Sequence, residues 1–250
     1  MLFRSASYAP DNSVAAVQVG AASAWENTGF TGKGVKVAVI DSGIDYYHAN
    51  FGGAGLDAYN ADNSTIIEPG TFPTAKVVGG YDFVGDGYDA RDAAKVAVAD
   101  PDPRDCSVYN NAAASAGGHG SHVAGSVAGY GVNTDGTTYR GPLTAAAIAG
   151  LKIGPGMAPE ASLLAYRVFG CNGSTGDDII VAAINRAVAD GAKVINMSLG
   201  SSFGRSSGTE QTAIANAVKA GVVVVASAGN SGPNPYITGA PAAAPAALSV

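Results

Sequence analysis

Apolar and polar positions along the 250-residue chain follow two alternating periods. Val35-Lys36-Val37-Ala38-Val39-Ile40 is short and nearly all apolar, the pattern of a strand buried on both faces of a parallel sheet. Residues 76–83, 163–169, 194–199 and 222–226 read the same way, and residues 246–250 begin another strand. Between these runs the period lengthens to that of a helix. Residues 11–27 carry Val14, Val17, Ala21, Ala24 and Trp25 at roughly helical spacing, which predicts one packing helix. Residues 177–190 place Ile180, Ile184, Ala187 and Val188 on one face. Thr175 and Asp178 are spaced as a capping box there, and Gly191 suits the stop position. Residues 209–220 form a further helix closed by Gly221. Residues 46–70 and 131–159 are rich in turn signals and read as loops. Strands alternating with helices predict an α/β fold: a doubly wound, mostly parallel sheet with helices on both faces.

Candidate chemistry gathers at three places. Asp41 closes the first strand and is followed by Ser42-Gly43-Ile44-Asp45. Open α/β sheets place functional groups at such carboxyl ends. Downstream, Gly117-Gly118-His119-Gly120-Ser121-His122-Val123-Ala124-Gly125 has too little side chain to serve as core. It suits a helix start lying against another backbone, where glycine permits close approach. The positive end of the helix dipole is expected to lower the pKa of His119, giving the neutral imidazole that a general base requires. The third place is Ser227-Ala228-Gly229-Asn230-Ser231-Gly232, which follows the 222–226 strand at the same sheet edge as Asp41.

Val-Ala-Val-Ile-Asp-Ser-Gly-Ile-Asp followed by His-Gly-Ser-His-Val-Ala-Gly resembles the subtilisin-like serine proteases, over roughly residues 12–250. The resemblance implies a serine endopeptidase with Asp41 as orienting carboxylate, His119 as general base and Asn230 as oxyanion donor. It implies a peptide substrate added as a β-strand, with Ser198-Leu199-Gly200 as one edge and Gly173-Ser174 as the other. Ser227-Ala228-Gly229 would flank the pocket before the scissile bond, with Gly239 at its floor. No cofactor is needed for the chemistry, and an N-terminal propeptide is expected before maturation. The family's Gly-Thr-Ser-Met-Ala nucleophile segment does not occur in the sequence. Ser231 is rejected as nucleophile, because it belongs to the oxyanion segment. The chain is therefore expected to be the first part of a peptidase domain, residues 11–250. Residues 1–10 would be a propeptide remnant or loose arm, and the catalytic serine would lie beyond Val250. The likeness is greatest to the larger secreted branch, many members of which insert a protease-associated domain before the serine. That points to a secreted or cell-surface protein, although the first residues have no signal-peptide architecture. In the implied fold the loops of Cys106 and Cys171 lie side by side, so a disulfide is expected, with two free thiols as the alternative.

Composition narrows the field further. A hydrophobic share of 47% against 14% charged supports a sizeable core and argues against disorder. A net charge of −6 argues against nucleic acid as a partner, and no apolar run approaches the length of a membrane span. The acidic stretch of Asp82, Asp86, Asp89, Asp92, Asp100, Asp102 and Asp105 reads as a solvated loop, with a structural calcium site as the second reading. A zinc centre using His48, His119 and His122 lacks the His-Glu-x-x-His pattern. A dinucleotide site lacks its glycine fingerprint after the first strand. A non-catalytic, peptide-binding pseudoprotease is the remaining alternative.

Overall fold

The structure, a computed structural model, describes residues 12–106 and 117–250. The expected arm at residues 1–10 lies outside the described residues. Among the described residues six strands form one sheet: β1 (Lys36–Asp41), β2 (Val77–Asp82), β3 (Ser162–Arg167), β4 (Val194–Met197), β5 (Val223–Ala226) and β6 (Leu248–Ser249). Their order is β2-β3-β1-β4-β5-β6, and every neighbouring pair is parallel. The predicted α/β, doubly wound sheet is thus the observed architecture.

The helices are α1 (Asn12–Gln18), α2 (Ala21–Thr28), α3 (Leu56–Ala61), α4 (His119–Ala128), α5 (Ala145–Ile148), α6 (Asp177–Ala189) and α7 (Thr209–Lys219). Strand β1 shows why both faces need cover. Ala38 and Ile40 join one buried cluster with Ile180 and Ile184 of α6 and Ile214 of α7. Val37 and Val39 join a second cluster with Ala124 and Ala128 of α4. The two-residue alternation of a strand sends successive side chains to opposite faces.

Several local expectations change. The single helix expected over residues 11–27 is two, because Gly20 takes a left-handed φ of 80° between them. The break turns Val14 and Val17 outward, and Ala16, Ala22 and Trp25 pack instead with Ile148. Residues 46–70 are not all loop, since they contain a 3-10 turn at Ala49–Phe51 and helix α3. The capping box fails: Gly176 is the N-cap of α6 and no side chain caps it. Asp177 and Asp178 complement the dipole from within the first turn instead.

The acidic stretch is a solvated loop only in its middle, where Asp86 and Asp92 are exposed. Asp82, Asp102 and Asp105 are fully buried, and so is Arg167 at the end of β3. Arg167 pairs with Asp82 at 3.1 Å and Asp86 at 2.7 Å, and Nη2 donates to Cys106 Sγ at 2.9 Å. Burial pushes the Asp82 carboxyl up to about 6 in spite of the arginine. Removing one member of a buried pair leaves the other charge uncompensated, at a cost of about 3–5 kcal/mol. Arg167→Met is accordingly expected to lower the urea unfolding free energy by about 3 kcal/mol. A loss under about 1 kcal/mol would mean that Asp82 is adequately solvated without the guanidinium.

Candidate active site

The carboxyl ends of β1, β4 and β5 point to one edge of the sheet. Asp41 is the last residue of β1, and residues 227–230 follow β5. The first turn of α4 comes to the same edge through contact between backbones. A Cβ on Gly120 would lie 2.2 Å from Gly43 O. Gly43, at φ 102°, is itself pressed against the 103–105 segment, with Pro103 O only 2.6 Å from where a Cβ would be. Glycine at both positions is what lets the helix start rest on the loop that follows Asp41.

This contact brings together two residues 78 positions apart in sequence: His119 Nδ1 lies 2.7 Å from Asp41 Oδ1. The same Asp41 oxygen accepts the Ser42 amide at 2.8 Å. Asp41 is 1% exposed, whereas the His119 side chain is 56% exposed. One ring nitrogen is therefore held by a buried carboxylate while the ring as a whole remains accessible. That is the arrangement of a base and its orienting partner. The expected lowering of the His119 pKa is wrong in sign. Its pKa is raised, first by the hydrogen bond to Asp41, against partial burial, with the Asp41 and Asp105 charges adding to the rise. A direct bond to a carboxylate outweighs the dipole of one helix end.

His48 and His122 do not join His119. They line a separate cavity of about 420 Å³, together with Asp45, Asp105 and Lys152. The three histidines therefore offer no shared metal site. Within the acidic stretch, Asp102 and Asp105 take protein donors. Tyr46 Oη donates to Asp102 at 2.8 Å, and Asp105 takes its donors from Ser42, Gly118 and Ser121. Among the described residues the one cluster of three close potential ligands is Asp86 with Cys106 and Cys171. Those two sulfurs are joined to each other: the Cys106–Cys171 disulfide is formed, with Cα atoms 5.5 Å apart.

The remaining predicted site residues fall into two groups. Ser198, Leu199 and Gly200 continue from β4, and the 227–230 segment runs beside them, tied by Ser227 N to Met197 O at 3.1 Å. Gly239 N donates to Ala228 O at 3.2 Å, and a Cβ on Gly239 would meet Ser201 O at 2.5 Å. Gly239 thus sits where Ala228 and the 198–201 segment converge. Asn230 is exposed in the turn that follows. Gly173 and Ser174 lie apart from these, on the β3–α6 connection. Ser174 gives its amide to Asp89 Oδ1 at 3.1 Å and its carbonyl to Ala90 N at 3.1 Å. Both of its backbone groups are thus engaged within the chain. Asp105 and Arg167, which organise the surroundings of the Asp41–His119 pair, were not singled out as site residues. The signal for Asp105 was the run Asp100-Pro101-Asp102-Pro103-Arg104-Asp105 leading toward the histidine motif, and that for Arg167 was a charge closing an otherwise apolar strand.

An aspartate bonded to a histidine at the carboxyl edge of a doubly wound sheet matches two of the three side chains of a Ser-His-Asp arrangement. Residues 32–250 match the family model described as Subtilase family. The chain belongs to the subtilase family. It is 36% identical over 245 residues to the Minor extracellular protease Vpr of Bacillus subtilis (strain 168), covering 96% of this chain and 23% of that protein. It is 31% identical over 231 residues to Subtilisin E of the same organism, covering 92% of this chain and 43% of that protein. It is also 32% identical over 232 residues to a PII-type proteinase of Lacticaseibacillus paracasei, covering 88% of this chain and 10% of that protein. The chain spans less than half the length of each of these relatives.

The raised pKa of His119 has a consequence for stability. A histidine whose folded pKa exceeds its unfolded value of about 6.5 stabilises the fold below that pH. The contribution is lost as pH rises through the folded pKa. His119→Gln is expected to flatten this part of the stability-versus-pH curve relative to the parent, measured by thermal unfolding from pH 5 to 9. Identical slopes in the two proteins would show that Asp41 does not favour the imidazolium.

Proposed function

We propose that this chain carries the base and oxyanion parts of a serine endopeptidase centre. The 2.7 Å contact between His119 Nδ1 and Asp41 Oδ1 carries the reading. Asp41 holds the imidazole in one orientation, and the exposed Nε2 side of His119 takes the proton from a serine hydroxyl. The base works in its neutral form, and the Asp41 carboxylate stabilises the imidazolium that forms. Asn230 offers its amide to the developing oxyanion. The peptide adds as a strand along Ser198-Leu199-Gly200, with its leading side chain between that edge and Ser227-Ala228-Gly229, above Gly239.

The nucleophilic serine is assigned to residues outside 1–250, because the sequence has no Gly-Thr-Ser-Met-Ala segment. Ser231 is a poor substitute. It opens no helix, and its hydroxyl lies 3.1 Å from that of Ser202. The name of the Vpr relative and the disulfide both favour an extracellular setting, where disulfides persist. A propeptide before maturation belongs to the same reading.

Residues 1–250 alone are expected to leave peptide substrates intact and to resist a serine-directed phosphonylating reagent. A longer chain that includes the nucleophile is expected to hydrolyse peptides and to be labelled. In that longer chain Asn230→Ala should lower kcat by about 10²–10³-fold, the known magnitude for this family. Labelling of Ser231 in the 1–250 chain would overturn the assignment. A longer chain that binds peptides without cleaving them would establish the pseudoprotease instead.

A further inference from the structure

Asp105 is 1% exposed and lies thirteen positions before the helix start that it touches. Its two oxygens accept four hydrogen bonds from two separate pieces of backbone. Oδ1 accepts from Ser42 Oγ at 2.9 Å and from Gly118 N at 3.1 Å. Oδ2 accepts from Ser121 N at 3.0 Å and Ser121 Oγ at 2.7 Å. Ser42 Oγ in turn accepts from Gly120 N at 2.8 Å. The carboxylate therefore receives orphan amides of the α4 first turn, the role of a capping side chain, although it belongs to a distant segment. It simultaneously grips the residue next to Asp41.

The same segment is also fastened to the loop after β1 and to α3. Ile44 N donates to Pro103 O at 3.0 Å, and Tyr59 Oη donates to Asp105 O at 2.8 Å. Three stretches of backbone, 42–44, 103–105 and 118–121, thus pack with almost no side chain between them. Asp105 and Ser42 are the two side chains that bond to both of the other stretches, and Asp105 carries the larger share with four of these bonds.

We propose that Asp105 is a positioning residue for the Asp41–His119 pair: its carboxylate locks the loop after Asp41 to the first turn of α4 and so sets the distance between the two side chains. The inference rests on the reading of His119 as the base. A cap that served the helix alone would need only Gly118 and Ser121. The bond to Ser42 reaches beyond the helix to the residue next to Asp41, and so ties the cap to the carboxylate that His119 must meet. Asp105 itself is pushed up to about 7 by burial, against four hydrogen bonds that favour the anion. The charged groups around the pair are Asp41 on β1, Asp105 on the approach to α4 and Arg167 on β3. Asp41 and Asp105 both favour the imidazolium, and Arg167 interacts electrostatically with Asp105.

The test uses NMR titration of His119 in residues 1–250, so it needs neither the serine nor a substrate. It reads the His119 pKa and the Nδ1 proton held by Asp41. Asp105→Asn removes charge and acceptor capacity together. It is expected to lower the His119 pKa by about half a unit or more and to broaden the Nδ1 proton signal by exchange. Ser42→Ala leaves every charge in place, keeps the Asp105 bonds to Gly118 and Ser121, and removes the hydroxyl through which the loop reaches both Asp105 and the Gly120 amide. It is expected to broaden the same proton and shift the pKa in the same direction by less. Should Asp105→Asn fail to fold, the Ser42→Ala result decides. A Ser42→Ala protein with an unaltered His119 titration and an unaltered Nδ1 proton overturns the proposal and leaves Asp105 as a helix cap alone. Asp41→Asn serves as the control. If it too leaves His119 unchanged, the fault lies with the base assignment itself and not with Asp105.

Discussion

The first turn of α4 rests on the backbone of Gly43, and the rest of the site depends on that contact. A single added methyl at Gly120 would need the space of Gly43 O, 2.2 Å away. Protein interiors do not yield gaps of that kind without backbone movement. The contact makes a hydrogen bond possible between a buried strand-end carboxylate and an accessible imidazole from another layer of the fold. The sheet supplies the direction of Asp41, the helix supplies that of His119, and the glycines supply the distance.

Around this contact lies an ionic frame rather than an apolar one. Asp82, Asp102, Asp105 and Arg167 are all buried beside it, with the Cys106–Cys171 disulfide against the guanidinium. Isolated buried charges are costly, and here each has partners: Tyr46 for Asp102, backbone and hydroxyl donors for Asp105, Asp82 and Asp86 for Arg167. The frame ties the approach to α4 to the ends of β1 and β3. These two strands are adjacent in the sheet, with Asp41 paired in register to Arg167.

Much of this was legible in the sequence, and the reason is local. Strand runs such as residues 35–40 are apolar because both faces are covered, and Asp41 stands out where such a run stops. The glycine-rich histidine segment is unusual enough in composition to mark a helix start on its own. The disulfide followed from the resemblance to a family rather than from spacing. What was not legible depends on partners far away in sequence. Asp105 and Arg167 are ordinary charged residues until the fold brings them to Ser42 and Asp82, 105 − 42 = 63 and 167 − 82 = 85 positions away in sequence. The sign of the His119 shift was misjudged for the same reason. The dipole belongs to the helix and can be anticipated, whereas the 2.7 Å bond that overrides it belongs to the packing.

The central claim is that Asp41 holds His119 through Nδ1 and leaves Nε2 to act. The ¹⁵N shifts of the His119 ring, recorded well above its pKa, test this most directly. The account predicts the tautomer protonated at Nδ1, with Nε2 bare and able to accept a proton. A neutral ring protonated at Nε2 would contradict it, because such a ring could neither donate to Asp41 nor take a proton from a serine.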